Sequence, residues 1–187
     1  MQRPEFRLFG GWALIANAAI GVVLLGDSAL NLSHPAALTV VQLLGILVYV
    51  AGIPMIQLSQ PQAGRGGQIA IALLELSAAV AFVMIFVNLV SSSDLPSAAA
   101  VSSALLGMVG GVLLGVFTIR LHRFPTWVGW FLAISVTVNF VTGQLSDALG
   151  FKILAECGIL LGILATAQYG WTIVQAYSMD ETQPRLA

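Results

Sequence analysis

One acidic side chain lies inside an apolar stretch of the sequence and is the strongest candidate for chemistry. Glu75 lies about seven residues, or roughly 10 Å along a helix, from the start of the apolar run 68–90. An ionisable side chain in hydrocarbon is costly unless it is paired, protonated or hydrated. Because its helical neighbours, such as Ala78 and Ala79, are mostly small, we expect Glu75 to face other protein segments rather than lipid.

Several polar residues lie at a similar depth in other apolar runs, roughly 9 to 14 Å from the same boundary. They are Asn17, Tyr49, Ser135 and Gln168, and the stripe that begins at Ser135 continues through Asn139 and Thr142. In one interpretation, these groups hydrogen-bond across helices and hold the protein together. In another, they line a small polar cavity, open toward the cytosol, in which Glu75 binds a proton or a cation. A third interpretation leaves Glu75 without a partner.

The remaining residues give no catalytic, cofactor or metal signature. The two histidines, His34 and His122, lie in connectors on opposite sides of the implied membrane, so they cannot jointly bind a haem or a metal. No histidine or lysine inside the apolar runs offers a base to a serine nucleophile. Near one end of the sixth run, Glu156 is expected either to reach the membrane interface or to pair with Lys152, four residues away. We therefore expect a protein that is not an enzyme and that uses no cofactor and no metal.

Six apolar runs of membrane-spanning length account for most of the chain. The 187 residues are 58% hydrophobic and only 8% charged, whereas soluble domains carry about 25% charged residues. About 20 apolar residues cross a ~30 Å hydrocarbon core, and backbone groups in lipid must be satisfied within helices. The sequence therefore predicts one all-α integral membrane domain over 1–187. Its six transmembrane helices are expected at about 9–26, 38–57, 68–90, 98–119, 126–146 and 152–174.

The distribution of basic residues predicts that both termini are cytosolic. Six of the seven Lys and Arg residues lie on the side of the termini, and Lys152 alone lies on the other. Loops on the cytosolic side are enriched in Lys and Arg, and tryptophans favour the interfaces. All four tryptophans lie near the same boundary as the six cations. The expected location is the lipid bilayer of a bacterial inner (plasma) membrane, and the net charge of −1 gives no reason to expect a nucleic-acid partner.

Two of the runs carry small residues at every fourth position. The fourth run has Ser103, Gly107, Gly111 and Gly115, and the sixth has Gly158, Gly162, Thr166 and Gly170. Such a face lets another helix backbone approach closely. We expect glycine-zipper packing on both faces, with Gly110 lying off the face. The contact is either within the chain or with another membrane subunit or a second copy.

Three segments carry a resemblance to a known group of proteins. They are "FRLFGGWALIANAAIG" near the start, "LLGILVYVAGIPMIQLSQPQAGRGGQIA" around the second and third runs, and "GVLLGVFTIRLHRFPTWVGWFLAIS" from Gly111 to Ser135. Together they resemble a loose class of small bacterial six-span membrane proteins of unknown function, which implies no activity or ligand. The length and the six spans are also similar to the substrate-binding subunits of energy-coupling vitamin transporters, although no ligand-binding motif carries over.

Two functions are therefore expected from the sequence. The first is a non-catalytic scaffold or accessory subunit that docks to a larger membrane complex through its glycine faces. The alternative is a small transporter or ligand-binding membrane protein that uses the polar layer around Glu75.

Overall fold

The chain is a multi-pass bundle of six long apolar helices. A computed structural model describes residues 4–30, 35–59, 64–91 and 97–182. The helices are α1 (Pro4–Leu30), α2 (Pro35–Ser59), α3 (Gly64–Ser91), α4 (Ser97–Leu121), α5 (Thr126–Leu149) and α6 (Lys152–Thr182). All six are long and apolar enough to cross a membrane, and the described residues contain no strand, so the predicted all-α membrane fold is confirmed. The helices extend beyond the predicted runs because a bilayer with its headgroups is about 40–45 Å thick.

The six helices form a closed ring in chain order. Each helix packs on its neighbours in the sequence, and α1 packs on α6 to close the ring. Short connectors make consecutive helices antiparallel. The connector from α5 to α6 is Gly150 and Phe151, where Gly150 adopts φ 72° and its N–H donates to the Ser146 carbonyl at 2.8 Å. We call the end of the ring that holds Pro4, Ser59, Gly64, Leu121, Thr126 and Thr182 the termini end. The other end, which holds Leu30, Pro35, Ser91, Ser97, Leu149 and Lys152, is the loop end.

The hydrophobic core of the protein lies in the half of the ring near the termini end. A cluster of buried side chains fills it: Leu14, Ile53, Ala70, Ile71, Leu74, Leu114, Phe124, Val128, Leu132, Ala165, Tyr169, Ile173 and Tyr177. The Tyr169 hydroxyl lies 3.1 Å from the Thr118 hydroxyl, so it links α6 to α4 across the ring. The Phe124 ring packs edge-on against the Tyr169 ring, with 6.1 Å between centroids. We call this cluster the plug, because its buried side chains lie across the interior of the ring near the termini end.

Glycines set two close helix crossings that tighten the ring around the plug. A Cβ added to Gly115 in α4 would lie 2.6 Å from the carbonyl oxygen of Gly129 in α5, and the reverse distance is also 2.6 Å. In the same way, a Cβ on Gly170 in α6 would lie 2.6 Å from the carbonyl oxygen of Gly11 in α1. Backbone therefore touches backbone at both crossings, and no side chain fits between the helices.

The small residues of the fourth and sixth runs make contacts within the chain. Gly107 faces Ser77 of α3, Gly111 faces Val136 of α5, Gly158 faces Asn139 and Thr142 of α5, and Gly162 lies farther from Asn139. The expectation that Gly110 lies off the packing face is wrong, because a Cβ there would lie 2.9 Å from the Ala70 carbonyl oxygen. The reason is that α4 is held between α3 and α5 and packs on two flanks. Glycine-zipper packing, including any between copies, stays a prediction.

The outer surface of the ring is suited to lipid. Many large apolar side chains are exposed, among them Val83 of α3 and Ile134 of α5. The four tryptophans are also exposed, by 46 to 58% of their surface; they are Trp12, Trp127, Trp130 and Trp171. All four lie toward the termini end, as expected for rings at one membrane interface. Which end faces the cytosol stays a prediction.

Candidate functional site: a central cavity at the loop end

A cavity of about 630 Å³ occupies the half of the ring that the plug leaves open. All six helices contribute to its wall, each through residues spaced three or four apart on its inward face. On α2, for example, these are Gln42, Gly45, Ile46 and Tyr49. The cavity is therefore a consequence of the ring, since helices that pack only on their neighbours enclose a space unless large side chains fill it.

The wall of the cavity is polar but uncharged. It carries four side-chain amides and three hydroxyls, from Asn17, Gln42, Asn139, Gln144, Tyr49, Ser77 and Thr166. The other lining residues are apolar or glycine, and none of the described lining residues carries a formal charge. The arrangement can exchange hydrogen bonds with a bound molecule and can bury apolar surface, but it offers no ionic partner.

The Ser77 and Thr166 hydroxyls of the wall are hydrogen-bonded to protein, whereas the amides of the wall are not. The Ser77 hydroxyl donates to the Ser103 carbonyl at 2.8 Å, and the Ser103 hydroxyl donates back to the Ser77 carbonyl at 2.9 Å. The Thr166 hydroxyl donates to the Gly162 carbonyl of its own helix. Within the described part of the chain, by contrast, none of the four amides bonds to protein, and none is buried as an unsatisfied group. An amide has two donors and an acceptor with two lone pairs, so these groups are available to water or to a ligand.

The described lining of the cavity extends toward the loop end. Its floor is Leu74, which belongs to the plug, together with Tyr49 and Val136, which pack against the plug. From there the lining continues toward the loop end as far as Gln144 and Ala155. The sequence led us to expect an opening toward the cytosol, on the side of the termini; the described lining extends instead toward the loop end. The bulky aromatic side chains of the plug lie at the other end. The sequence gives their depth along the helices but not whether they point into the ring.

Glu75 does not line the cavity. It is half-buried and lies about 160° around α3 from Ser77, which contacts α4. Glu75 therefore lies on the side of α3 that faces α2. The contact between α2 and α3 is the least extensive of the six contacts between adjacent helices in the ring. Its carboxylate makes no hydrogen bond or ion pair with other described residues. Neither Asn17 nor Tyr49 is therefore its hydrogen-bonding partner.

Only some residues of the predicted polar layer line the cavity. Three of its residues, Asn17, Tyr49 and Asn139, come together in the wall of the cavity. Ser135 and Gln168 lie outside the lining, like Glu75. The Ser135 hydroxyl is buried in α5 without a partner. At Gln168, the backbone carbonyl accepts a hydrogen bond from the Thr172 hydroxyl, and the side chain is half-buried.

Four polar wall residues were missed because sequence reasoning ranked groups by depth. They are Gln42, Ser77, Gln144 and Thr166. A better signal is a polar residue on the same stripe as small residues, because such a stripe faces the interior of a membrane bundle. Gln42 and Gly45 form such a pair on α2, and Gly143 and Gln144 share the wall on α5.

The sequence made predictions about one ion pair, about metal binding, and about enzymatic activity and cofactors. The expected pair between Lys152 and Glu156 is confirmed, with 3.5 Å between Nζ and Oε1. In the ranges that the structure describes, no three His, Cys, Asp or Glu residues are grouped so that they could hold a metal. The expectations that the protein is not an enzyme and uses no cofactor stay predictions.

Replacing Glu75 with glutamine is expected to leave stability nearly unchanged. The carboxylate has no described partner to lose, and glutamine keeps the shape while removing a charge that is unfavourable in the membrane. We expect the free energy of unfolding to change by less than about 0.5 kcal/mol, measured as the melting temperature in detergent. A fall of several degrees would show that Glu75 forms a stabilising bond.

Comparison of the chain with family models, with curated proteins and with solved structures found no match.

Proposed function

We propose that this protein binds a small, uncharged molecule in the cavity that opens at the loop end of the ring. The observation that carries the proposal is the wall of unbonded amides without any charged side chain. Ligand sites are concave, about 300–1,000 Å³ in volume, mostly apolar, and contain a few polar groups that orient the ligand. The cavity of about 630 Å³ fits this description.

The chemistry of the wall favours one class of ligand. An ion taken out of water needs an opposite charge or a shell of oxygen ligands, and a bare ion is very costly to bury otherwise. The described lining residues supply no charge, and most backbone carbonyls are already used within the helices. Asn17, Gln42, Asn139 and Gln144 can instead pair with a molecule that carries both donors and acceptors, while Ile20, Ile46, Met108 and Phe140 cover its apolar part.

The location completes the proposal. We place the protein in the bacterial inner membrane with both termini in the cytosol, on the basis of the basic residues near the termini end. The cavity then opens away from the cytosol, so the ligand enters from outside. In the transport form of this proposal, the plug must open to release the ligand on the other side. Binding alone does not require this movement.

Native mass spectrometry of gently solubilised protein tests the proposal. We expect the folded chain to carry a small molecule that is released by unfolding and that has no formal charge at neutral pH. A chain that is always empty, including after incubation with extracts of the source cells, would contradict the proposal.

An accessory-subunit role is the second candidate from the sequence, and the same spectra address it. The glycine faces offered for docking make contacts with α3 and α5 of the same chain, which leaves this role without an identified docking surface. A stoichiometric larger membrane protein that copurifies with an empty chain would support it and would replace the ligand-binding proposal.

A further inference from the structure

Two arginines converge on one tyrosine at the termini end of the ring. The Arg7 guanidinium carbon lies 4.9 Å from the centre of the Tyr177 ring, and that of Arg123 lies 5.5 Å from the same centre. They come from different elements, because Arg7 is in the first turns of α1 and Arg123 is in the connector between α4 and α5. Tyr177 itself is only 2% exposed and belongs to the plug.

Among the side chains that the structure describes, which are those of residues 7–27, 37–54, 64–91 and 98–178, no acid pairs with either arginine. Lys152 and Glu156, at the opposite end, form the ion pair of the described part of the chain. Neither Arg7 nor Arg123 has a hydrogen bond or ion pair with the protein there. The Nε–H of Arg7 is in addition buried and without an acceptor among the described residues, although leaving a buried donor without a partner is destabilising.

The ring of Tyr177 holds the guanidinium groups without using their hydrogen-bonding capacity. A guanidinium over an aromatic face is attracted by the ring quadrupole, and its N–H donors point outward in its own plane. A planar group with five N–H donors matches the oxygens of a phosphate, which it can bind through two parallel hydrogen bonds. The two guanidinium groups therefore have the chemistry of an anion-binding site.

We propose that Arg7 and Arg123, held on Tyr177, bind a phosphate group at the termini end. The phosphate comes either from the headgroup of an anionic phospholipid or from a soluble phosphate compound, since both present the same oxygens. Four exposed tryptophans place the membrane interface at this end of the ring, where lipid headgroups lie. The site is separate from the cavity, because the plug fills the space between them.

Melting temperatures of the purified full chain in detergent test this site. One arm adds phosphatidylglycerol, a second adds phosphatidylcholine, and a third adds inorganic phosphate against chloride of equal ionic strength. We expect phosphatidylglycerol, inorganic phosphate or both to raise the melting temperature by about 5 °C, with no such rise from phosphatidylcholine. A rise with phosphatidylglycerol alone assigns the site to lipid, and a rise with inorganic phosphate assigns it to a soluble compound or to either source.

Variants connect the effect to the two arginines. Arg7→Gln and Arg123→Gln should each abolish the rise, whereas Arg120→Gln, an exposed arginine at the same end, should keep it. If Arg7→Gln folds poorly, Arg7→Lys and a count of phosphatidylglycerol molecules retained on the folded chain in native mass spectrometry replace it. Equal shifts with both lipids and none with phosphate, or shifts that survive both glutamine variants, would overturn the proposal.

Discussion

Gly115→Leu is expected to destabilise the protein by about 3 kcal/mol or more. Its Cβ would lie 2.6 Å from the Gly129 carbonyl oxygen and 2.9 Å from the Ala133 Cβ. The first of these atoms is backbone and cannot move without shifting a helix, so α4 and α5 must separate along their whole crossing. The lost contacts matter because helices in lipid associate through close packing. The melting temperature in detergent measures the effect.

Gly26→Leu is the matched control for this prediction. Among the described residues, no atom outside the neighbouring backbone of α1 lies within 4 Å of a Cβ at Gly26, so the same change adds the same bulk without a clash with them. It also raises helix propensity, since glycine is about 0.8–1.0 kcal/mol less favourable than alanine in a helix interior. We expect Gly26→Leu to melt at or above the temperature of the unaltered protein. Equal melting temperatures for the two variants would mean that the crossing at Gly115 is not tight.

Gly143→Leu is expected to abolish ligand binding while the protein stays folded. Gly143 lies in the wall of the cavity on α5, and no atom of the described part of the chain, apart from the neighbouring backbone of α5, lies within 4 Å of a Cβ placed there. The leucine side chain therefore enters the cavity, where it takes the place of the ligand. Native mass spectrometry should show at least a tenfold loss of the bound small molecule, which corresponds to about 1.4 kcal/mol of binding free energy.

The control for Gly143→Leu is again Gly26→Leu, because Gly26 does not line the cavity. This control should retain the bound molecule fully. The melting temperature of Gly143→Leu without ligand should not fall, since the leucine fills open space. Retention of the ligand by a folded Gly143→Leu variant would show that the molecule binds somewhere else.

The fold could be predicted from the sequence because each helix is specified locally. A run of apolar residues long enough to cross the bilayer must be a helix, and the connectors between the runs are short. The ring could not be predicted, since it depends on which helix faces meet. The Gly11–Gly170 crossing, which closes the ring between α1 and α6, joins residues at opposite ends of the chain. Nothing in the spacing within either helix indicates its partner.

The site could be predicted only in part, because depth is readable from the sequence but direction is not. Asn17 and Tyr49 were predicted from their depth and Asn139 from the stripe that begins at Ser135, and all three lie in the cavity wall. Glu75 has a similar depth but lies on the flank of α3 toward α2. Its charge made Glu75 the leading candidate in the sequence, whereas in the structure uncharged amides line the cavity. Two residues along a helix are enough to separate Glu75 from Ser77, which lines the cavity.

Thiol accessibility at position 143 tests most directly that the cavity is open to water at the loop end. The experiment uses Gly143→Cys in a Cys157→Ser background, with a small charged thiol reagent added outside intact cells. Asp147→Cys, exposed near the loop end, is the positive control, and Ile173→Cys, in the fully buried plug, is the negative control. We predict labelling at 143 and 147 and none at 173. Labelling at 147 without labelling at 143 would contradict an open cavity.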